Sequence, residues 1–272
     1  MNLTSPSQVK AWCRANDFHP NRVMGQNFLI DANAREAIVE AGLAGASGEA
    51  GEEVLEIGPG LGVLTEALLR RGCRVTAVEK DPVLAARLSE ALGRPDGLSV
   101  IAGDALDGRL LARLDERPFA RLVSNLPYQA GTRILLEFVQ RRRIPSMTVL
   151  LQSEVAERLA AGPGSRARSL AGVWAQLDYD VRIVRRVAAT CFWPRPEVAS
   201  SVVRLDRHGR NAALGPEARD VFRRLTKRAF EHRRKQLGSV FKDMIQSTAR
   251  AEELANEYWI ELVKGLLEHE DT

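Results

Sequence analysis

Hydrophobic and polar positions along the chain fall into two regimes. From about Glu52 to Leu205, short apolar runs alternate with longer stretches of helical period. Val54–Ile57, Arg74–Val78, Leu98–Ala102, the apolar lead-in to Asn125, Thr148–Gln152, Arg182–Val187 and Ser200–Leu205 predict strands, whereas Val63–Leu69 predicts a helix. The last two strands are expected to form a hairpin-like pair around the Pro-rich stretch between them. Strands separated by helical segments need crossover connections, so the pattern predicts an α/β fold: a mostly parallel sheet with helices on both faces. From Pro216 onward the period is helical, with no convincing strand. A small all-helical domain is therefore expected to begin near His208-Gly209-Arg210, giving domains 1–207, which includes an N-terminal helical segment, and 208–272. No internal repeat or low-complexity tract interrupts this organisation.

Candidate chemistry sits where the predicted strands end. Val54-Leu55-Glu56-Ile57 runs into Gly58-Pro59-Gly60-Leu61-Gly62 and then into the predicted helix. Such a strand, tight turn and helix start lets the backbone approach a nucleotide-like ligand closely. The glycines alternate, Val63 stands where a dinucleotide fingerprint needs its third glycine, and Glu56 precedes the turn. This arrangement resembles the S-adenosylmethionine site of class I methyltransferases, which have a Rossmann-like sheet, more than it resembles an NAD site. The second predicted strand ends in Glu79-Lys80-Asp81-Pro82 and the third in Gly103-Asp104-Ala105. Glu79 would take both ribose hydroxyl protons of such a cofactor, and Asp104 would accept from its adenine amine. Taken singly, either acid is more often a solvated strand-end residue or a helix cap, but both stand at successive strand ends after a Gly-rich turn.

Val-Ser-Asn125-Leu126-Pro127-Tyr128 carries the most specific chemistry. The lone pair of an aromatic exocyclic amine is delocalised into the ring, so the amine attacks poorly unless it is drawn towards tetrahedral geometry. An Asn side-chain carbonyl and a backbone carbonyl beside a proline can accept its two N–H bonds as positive charge develops. Tyr128 offers a face for a flipped-out base. Without this context the tetrapeptide also reads as a strand-end turn.

The 272 residues, 45% of them hydrophobic, suffice for a large core plus a smaller one. Net charge is only +4, but Arg223, Arg224, Lys227, Arg228, Arg233, Arg234, Lys235 and Lys242 crowd one stretch whose single acid is Glu231. That cluster is a candidate phosphate-binding face, although charge runs are also ordinary solvated helix faces. Cys13, Cys73 and Cys191 are odd in number and widely spaced, which fits a reducing cytoplasmic compartment and no disulfide framework. His19, His208, His232 and His269 form no metal-ligand pattern, so no metal is expected. The N-terminus lacks a signal-peptide layout and no apolar run reaches spanning length, so neither secretion nor a membrane span is expected. Without long heptads, a monomer is expected.

Five motifs in order extend this reading: Gly25-Gln26-Asn27-Phe28-Leu29, Glu56-Ile57-Gly58-Pro59-Gly60, Asn125-Leu126-Pro127-Tyr128, the stretch from Phe192-Trp193-Pro194-Arg195-Pro196 to Leu205, and Ala229-Phe230-Glu231-His232-Arg233-Arg234-Lys235. Together they resemble the ribosomal RNA adenine N(6)-dimethyltransferase family over roughly residues 22 to 265. The resemblance implies successive methyl transfers from S-adenosylmethionine to two adjacent adenosines in the 3′-terminal hairpin of small-subunit rRNA, within the assembling subunit. It further implies that Asn27, Leu29, Gly58, Glu79, Asp104 and Asn125 line the cofactor site. Leu126 would lend its carbonyl to the target amine, and Tyr128 and Phe192 would pack against the flipped adenine. The alternative reading of Phe192 is a core aromatic, though it heads a Pro-rich loop rather than a periodic strand.

The chain also departs from the family pattern. Gln129-Ala130-Gly131-Thr132 replaces the usual Asn-Ile-Ser-Thr, and Gly131 is expected to loosen the target loop. The usual Tyr-Gly-x-Leu-Ser stretch is replaced around Arg166–Gly172, and the C-terminal domain is shortened after Lys242. Two alternatives stay open on the sequence: a large-subunit rRNA adenine methyltransferase of the macrolide-resistance type, and a non-catalytic RNA-binding assembly or transcription factor on the same fold.

Overall fold

The computed structural model describes residues 1–21, 24–45, 51–242 and 244–270, with the side chains of 269 and 270 excepted. Arg22, at the start of the family resemblance, and the side chain of His269 lie outside that set. The elements, in chain order, are α1 (Pro6–Ala15), β1 (Phe28–Leu29), α2 (Ala32–Leu43), β2 (Glu53–Ile57), α3 (Val63–Arg70), β3 (Arg74–Glu79), α4 (Pro82–Ala91), β4 (Leu98–Ala102), α5 (Gly108–Asp115), β5 (Arg121–Asn125), α6 (Gly131–Arg141), β6 (Ser146–Gln152), α7 (Ser153–Ala160), α8 (Leu170–Ala175), β7 (Tyr179–Val187), β8 (Phe192–Trp193), β9 (Ser200–Arg207), α9 (Pro216–Glu231), α10 (Leu237–Val240) and α11 (Asn256–Glu270).

Seven strands form one sheet in the order β4-β3-β2-β5-β6-β9-β7. The pairings β2–β3, β3–β4, β2–β5 and β5–β6 are parallel, and β9 runs antiparallel to β6. The expected mostly parallel α/β sheet is therefore what forms. Val54, Leu55, Val75, Ala77, Leu122 and Val123 are all essentially inaccessible, as strands covered on both faces require. The chain steps outward from β2 to β4 and then returns to place β5 beside β2. That reversal is the topological switch point at which open α/β sheets hold ligands, outside the carboxyl ends of the strands. The turn after β2 and the Asn-Leu-Pro-Tyr loop after β5 consequently lie side by side.

Local chemistry starts the helices that flank the sheet. Asp31 caps α2 through Ala34 N, Asp81 caps α4 through Val83 N and Leu84 N, and Asp107 caps α5 through Arg109 N and Leu110 N. Pro82 then sits at the first helical position, where a missing N–H costs nothing.

The chain divides into two compact units, Met1–Ala156 with Arg182–Arg207, and Glu157–Val181 with His208–Thr272. The sequence reading placed all of 1–207 in one domain. The segment 157–181 instead belongs to the second unit, because Val173 and Leu177 join the apolar cluster of Phe222, Leu225, Trp259 and Ile260 there. In that unit Arg219 forms a two-pronged buried pair with Asp178, at 2.6 and 2.9 Å, and Arg168 reaches the Asn256 side chain at 3.1 Å. Both guanidinium groups are buried, so they act as internal ties within the helical unit. Burial also lowers the pKa of Arg168.

Among the described residues no helix is long and apolar enough to cross a membrane, and no group of His, Cys, Asp or Glu could hold a metal ion.

Candidate active site

A cavity of about 320 Å³ opens at the switch point, a size suited to a nucleotide-scale ligand. Its wall is built from residues 24–29, the turn at 56–61, Glu79-Lys80, 103–106 and the loop 125–130. Asn27, Leu29, Gly58, Glu79, Asp104, Asn125, Leu126, Pro127 and Tyr128 all line it. Phe192 does not. It is 2% exposed, pairs with Leu29 across the β1–β8 ribbon and belongs to the apolar core. Its packing therefore supports the strand that presents Leu29.

The turn after β2 is shaped by glycine. Gly58, Gly60 and Gly62 all have positive φ, at 68°, 59° and 89°. A Cβ on Gly60 would stand 3.1 Å from the Phe28 ring, and one on Gly62 only 2.7 Å from Leu88. The backbone thus forms a tight cradle in which side chains at Gly60 and Gly62 would collide with Phe28 and Leu88. Gly58 N donates to Val78 O at 2.8 Å, and the Ser124 hydroxyl donates to Ile57 O at 2.5 Å, which ties the turn to both neighbouring strands.

Three carboxyl groups face this cradle in different states. Glu79 is buried and accepts Gly60 N at 3.0 Å on one oxygen and Asp81 N at 2.8 Å on the other. Burial raises its pKa while those amides oppose the rise. A carboxylate oxygen can accept twice, so a pair of vicinal hydroxyls can still be received. Asp104 accepts Leu106 N at 2.9 Å and meets the Lys80 ammonium at 2.9 Å, which holds its carboxyl below the usual range. Glu56 is 1% exposed, accepts the Thr65 hydroxyl at 2.6 Å, and is pushed up to about 8 by burial.

The other wall is the Asn-Leu-Pro-Tyr loop. The Asn125 amide nitrogen donates to Asn27 O at 3.2 Å, so the side-chain oxygen is the group's acceptor end. Pro127 O accepts Gly131 N at 2.7 Å and Ala130 N at 3.2 Å, which leads the loop directly into α6. A Cβ on Gly131 would stand 3.0 Å from Leu151 and 3.1 Å from Leu126. Gly131 is therefore a close-packing residue that firms the loop, contrary to the expected loosening. Tyr128 is half-buried with its hydroxyl 2.5 Å from that of Ser200, which fixes the ring. Burial raises its pKa.

Several contributors escaped the sequence reading. Gln26 bonds Asp81 at 2.9 Å and thereby fastens the N-terminal segment to the start of α4. Lys80 forms part of the wall and orients Asp104. Gln26 lies inside a motif already singled out, and Lys80 adjoins Glu79, but nothing in their spacing gives either a role.

In the basic stretch of the second unit, Lys227, Arg234 and Lys235 are exposed. Arg224 and Arg228 are exposed too, but Arg224 is paired with Asp220 and Arg228 lies over the Phe241 ring at 5.3 Å. Arg233 is half-buried, donates to Arg166 O and lies 3.5 Å from Glu252. Arg223 is half-buried. The cluster is thus divided between solvent and internal contacts.

The doubly wound sheet, with a glycine cradle and carboxylates at successive strand ends, defines a class I methyltransferase, whose methyl donor is of the S-adenosylmethionine type. The cradle and the acceptor set fit an adenosyl ligand. The ribosomal RNA adenine dimethylase family profile matches residues 17–261, and the chain belongs to that family. It is 47% identical over 204 residues to the ribosomal RNA small subunit methyltransferase A of Deinococcus radiodurans, covering 75% of this chain and 67% of the relative. Against the protein of the same name from Phenylobacterium zucineum, identity is 39% over 243 residues, covering 89% and 83%. The crystal structure of a dimethyladenosine transferase from Plasmodium falciparum superposes with a TM-score of 0.73 at 20% identity, over 88% of this chain and 96% of that one, a likeness of fold.

Proposed function

We propose that this protein uses S-adenosylmethionine to dimethylate two adjacent adenosines in the 3′-terminal hairpin of small-subunit rRNA, acting as a cytoplasmic monomer on the assembling subunit. Family membership and the names of the relatives support the substrate class. The observation that carries the reaction is the pinned amide of Asn125, whose nitrogen is committed to Asn27 O at the cavity wall.

Bound S-adenosylmethionine would supply an electrophilic sulfonium methyl group. Glu79 would receive the ribose hydroxyls and Asp104 the adenine amine, with Asn27, Leu29 and Gly58 as the surrounding wall. The side-chain oxygen of Asn125 and the carbonyl of Leu126 accept the two N–H bonds of the target amine, so its lone pair leaves the ring's conjugation. Tyr128, held by Ser200, stacks on the extruded base. Amine acidity rises as the new bond forms, so the departing proton needs no strong base. A closed, oriented site contributes chiefly by proximity. For the second transfer, the monomethylated amine turns its remaining hydrogen towards one of these acceptors. The basic residues of the helical unit, Arg223, Arg224, Lys227, Arg228, Arg233, Arg234 and Lys235, are the proposed RNA-binding set, with the exposed Lys227, Arg234 and Lys235 making the main phosphate contacts.

Transfer of labelled methyl groups to unmethylated small subunits, with naked large-subunit rRNA in parallel, tests the proposal. About four methyl groups per small subunit, two on each of the two adenosines proposed above, are expected. Label confined to large-subunit RNA would make it a resistance-type enzyme, and tight cofactor binding without transfer would make it a non-catalytic factor.

A further inference from the structure

The far side of the sheet carries a second charged surface. On β7 the alternation leaves Arg182, Val184 and Arg186 exposed on one face, with Arg185 exposed as well. Arg182 meets Asp206 at 3.1 Å, so the start of β7 lies beside the end of β9. The other end of β7, Arg185–Val187, therefore lies where β9 begins. There the first residue of β9, Ser200, holds the Tyr128 hydroxyl.

Two further contacts bring the connecting segment to the same place. Ile30 N donates to Cys191 O at 2.8 Å, and Phe28, a cavity residue, pairs with Trp193. Arg185 acts electrostatically on the Cys191 thiol, as does Asp31. Exposed Arg195 follows Trp193 by two residues. Three arginines thus stand at the carboxyl end of the sheet on the β9–β7 side, whereas Glu79 and Asp104 stand on the β3–β4 side. Of the nearby carboxylates, Asp31 is engaged in capping α2, while the exposed Glu197 and the exposed Glu154, next to Ser153 whose N–H donates to Ala199 O, are opposing charges. Val184 and Val198, 45% and 46% exposed, add apolar contact area.

We propose that Arg185, Arg186 and Arg195 form a phosphate-binding rim on the catalytic unit that grips the single-stranded RNA flanking the extruded adenine. This rests on the RNA-methylating reading above. The cofactor site and the rim occupy opposite sides of the Asn-Leu-Pro-Tyr loop, so a strand lying along the rim would deliver its base to Tyr128. Arginine suits the task because its planar fork binds phosphate in two-pronged fashion. Each lost phosphate contact lowers the salt dependence of single-strand binding by about 0.7 of a log unit per log unit of salt.

The test compares wild type with the R185A/R186A/R195A variant, measuring cofactor affinity, methyl transfer and the salt dependence of binding to unmethylated small subunits. The variant is expected to raise KM for subunits about tenfold or more and to flatten the salt dependence by about two. Its cofactor Kd should match wild type, because none of the three lines the cavity. Unchanged KM and salt dependence in a variant that still binds cofactor would overturn the rim. Failure of the wild type itself to methylate the subunits would overturn the functional reading, and the rim with it.

Discussion

Around the turn after β2, the groups that matter are backbone amides, positive-φ glycines and buried carboxyls. Along α9 and the residues that follow it, they are long charged side chains. Both are dense sequence motifs, yet the first converges on one cavity, whereas the second divides between solvent (Lys227, Arg234, Lys235) and internal contacts (Arg233, and the exposed Arg228 through the Phe241 ring). Glycine conformation and strand-end position leave little choice about where a polar group points. A guanidinium on a flexible stem can turn to a neighbouring ring, carbonyl or carboxylate as readily as to a ligand.

Substitutions can break or sharpen this contrast. The largest effect is expected where a charge is wholly structural. Asp178→Ala strands the buried Arg219 guanidinium and should cost about 3–5 kcal/mol, read by denaturant unfolding, whereas loss within about 0.5 kcal/mol would mean the pair is dispensable. Asn125→Ala should slow methyl transfer by about 10²–10³-fold at saturating cofactor. Near-normal turnover would remove Asn125 from the reaction. Reversing Lys227, Arg234 and Lys235 together to Glu should weaken subunit binding about tenfold or more, with unfolding unchanged. Arg233→Glu should instead lower the melting temperature, and equal stability in both variants would erase the proposed division.

Glu56 gives a pH signature. Its folded pKa, about 8, lies above its ordinary 4.5, so the folded state binds the proton more tightly than the unfolded chain does. The stability it contributes is full below about 4.5 and is lost as pH rises through about 8. Glu56→Gln should flatten that decline in melting temperature across the window, and an identical profile would contradict a neutral Glu56. The smallest effect is expected for Tyr128→Phe, which keeps the stacking face and loses only the bond to Ser200. A rate within about tenfold of wild type is expected, and complete inactivation would show that the hydroxyl does more than hold the ring.

Much of the sheet was legible because apolar runs ended in marked turns: β2, β3, β4 and β6 each stand within a residue or two of the predicted runs. Residues chosen for the pocket from the Gly-rich and Asn-Leu-Pro-Tyr motifs line one cavity because both motifs follow strands that become neighbours at the switch point. What escaped depends on tertiary partners. Segment 157–181 belongs to the helical unit through Val173 and Leu177, and a six-residue helix has too short a period to announce whose core it joins. Phe192 looked like a loop aromatic, but its pairing with Leu29, distant in sequence, buries it. Gly131 looked permissive, and the closeness of Leu126 and Leu151 makes it a packing requirement. Lys80 becomes visible only once β3 and β4 stand side by side and Asp104 comes within reach.

The central claim is that Asn125 and Leu126 act on an exocyclic adenine amine. Nucleoside analysis of small-subunit rRNA after reaction with the wild-type protein tests it most directly. The account predicts N6,N6-dimethyladenosine, formed about 10²–10³-fold more slowly when Asn125→Ala is used under the same conditions. Methyl groups on a ring nitrogen or on ribose, or dimethyladenosine formed equally by the variant, would contradict it.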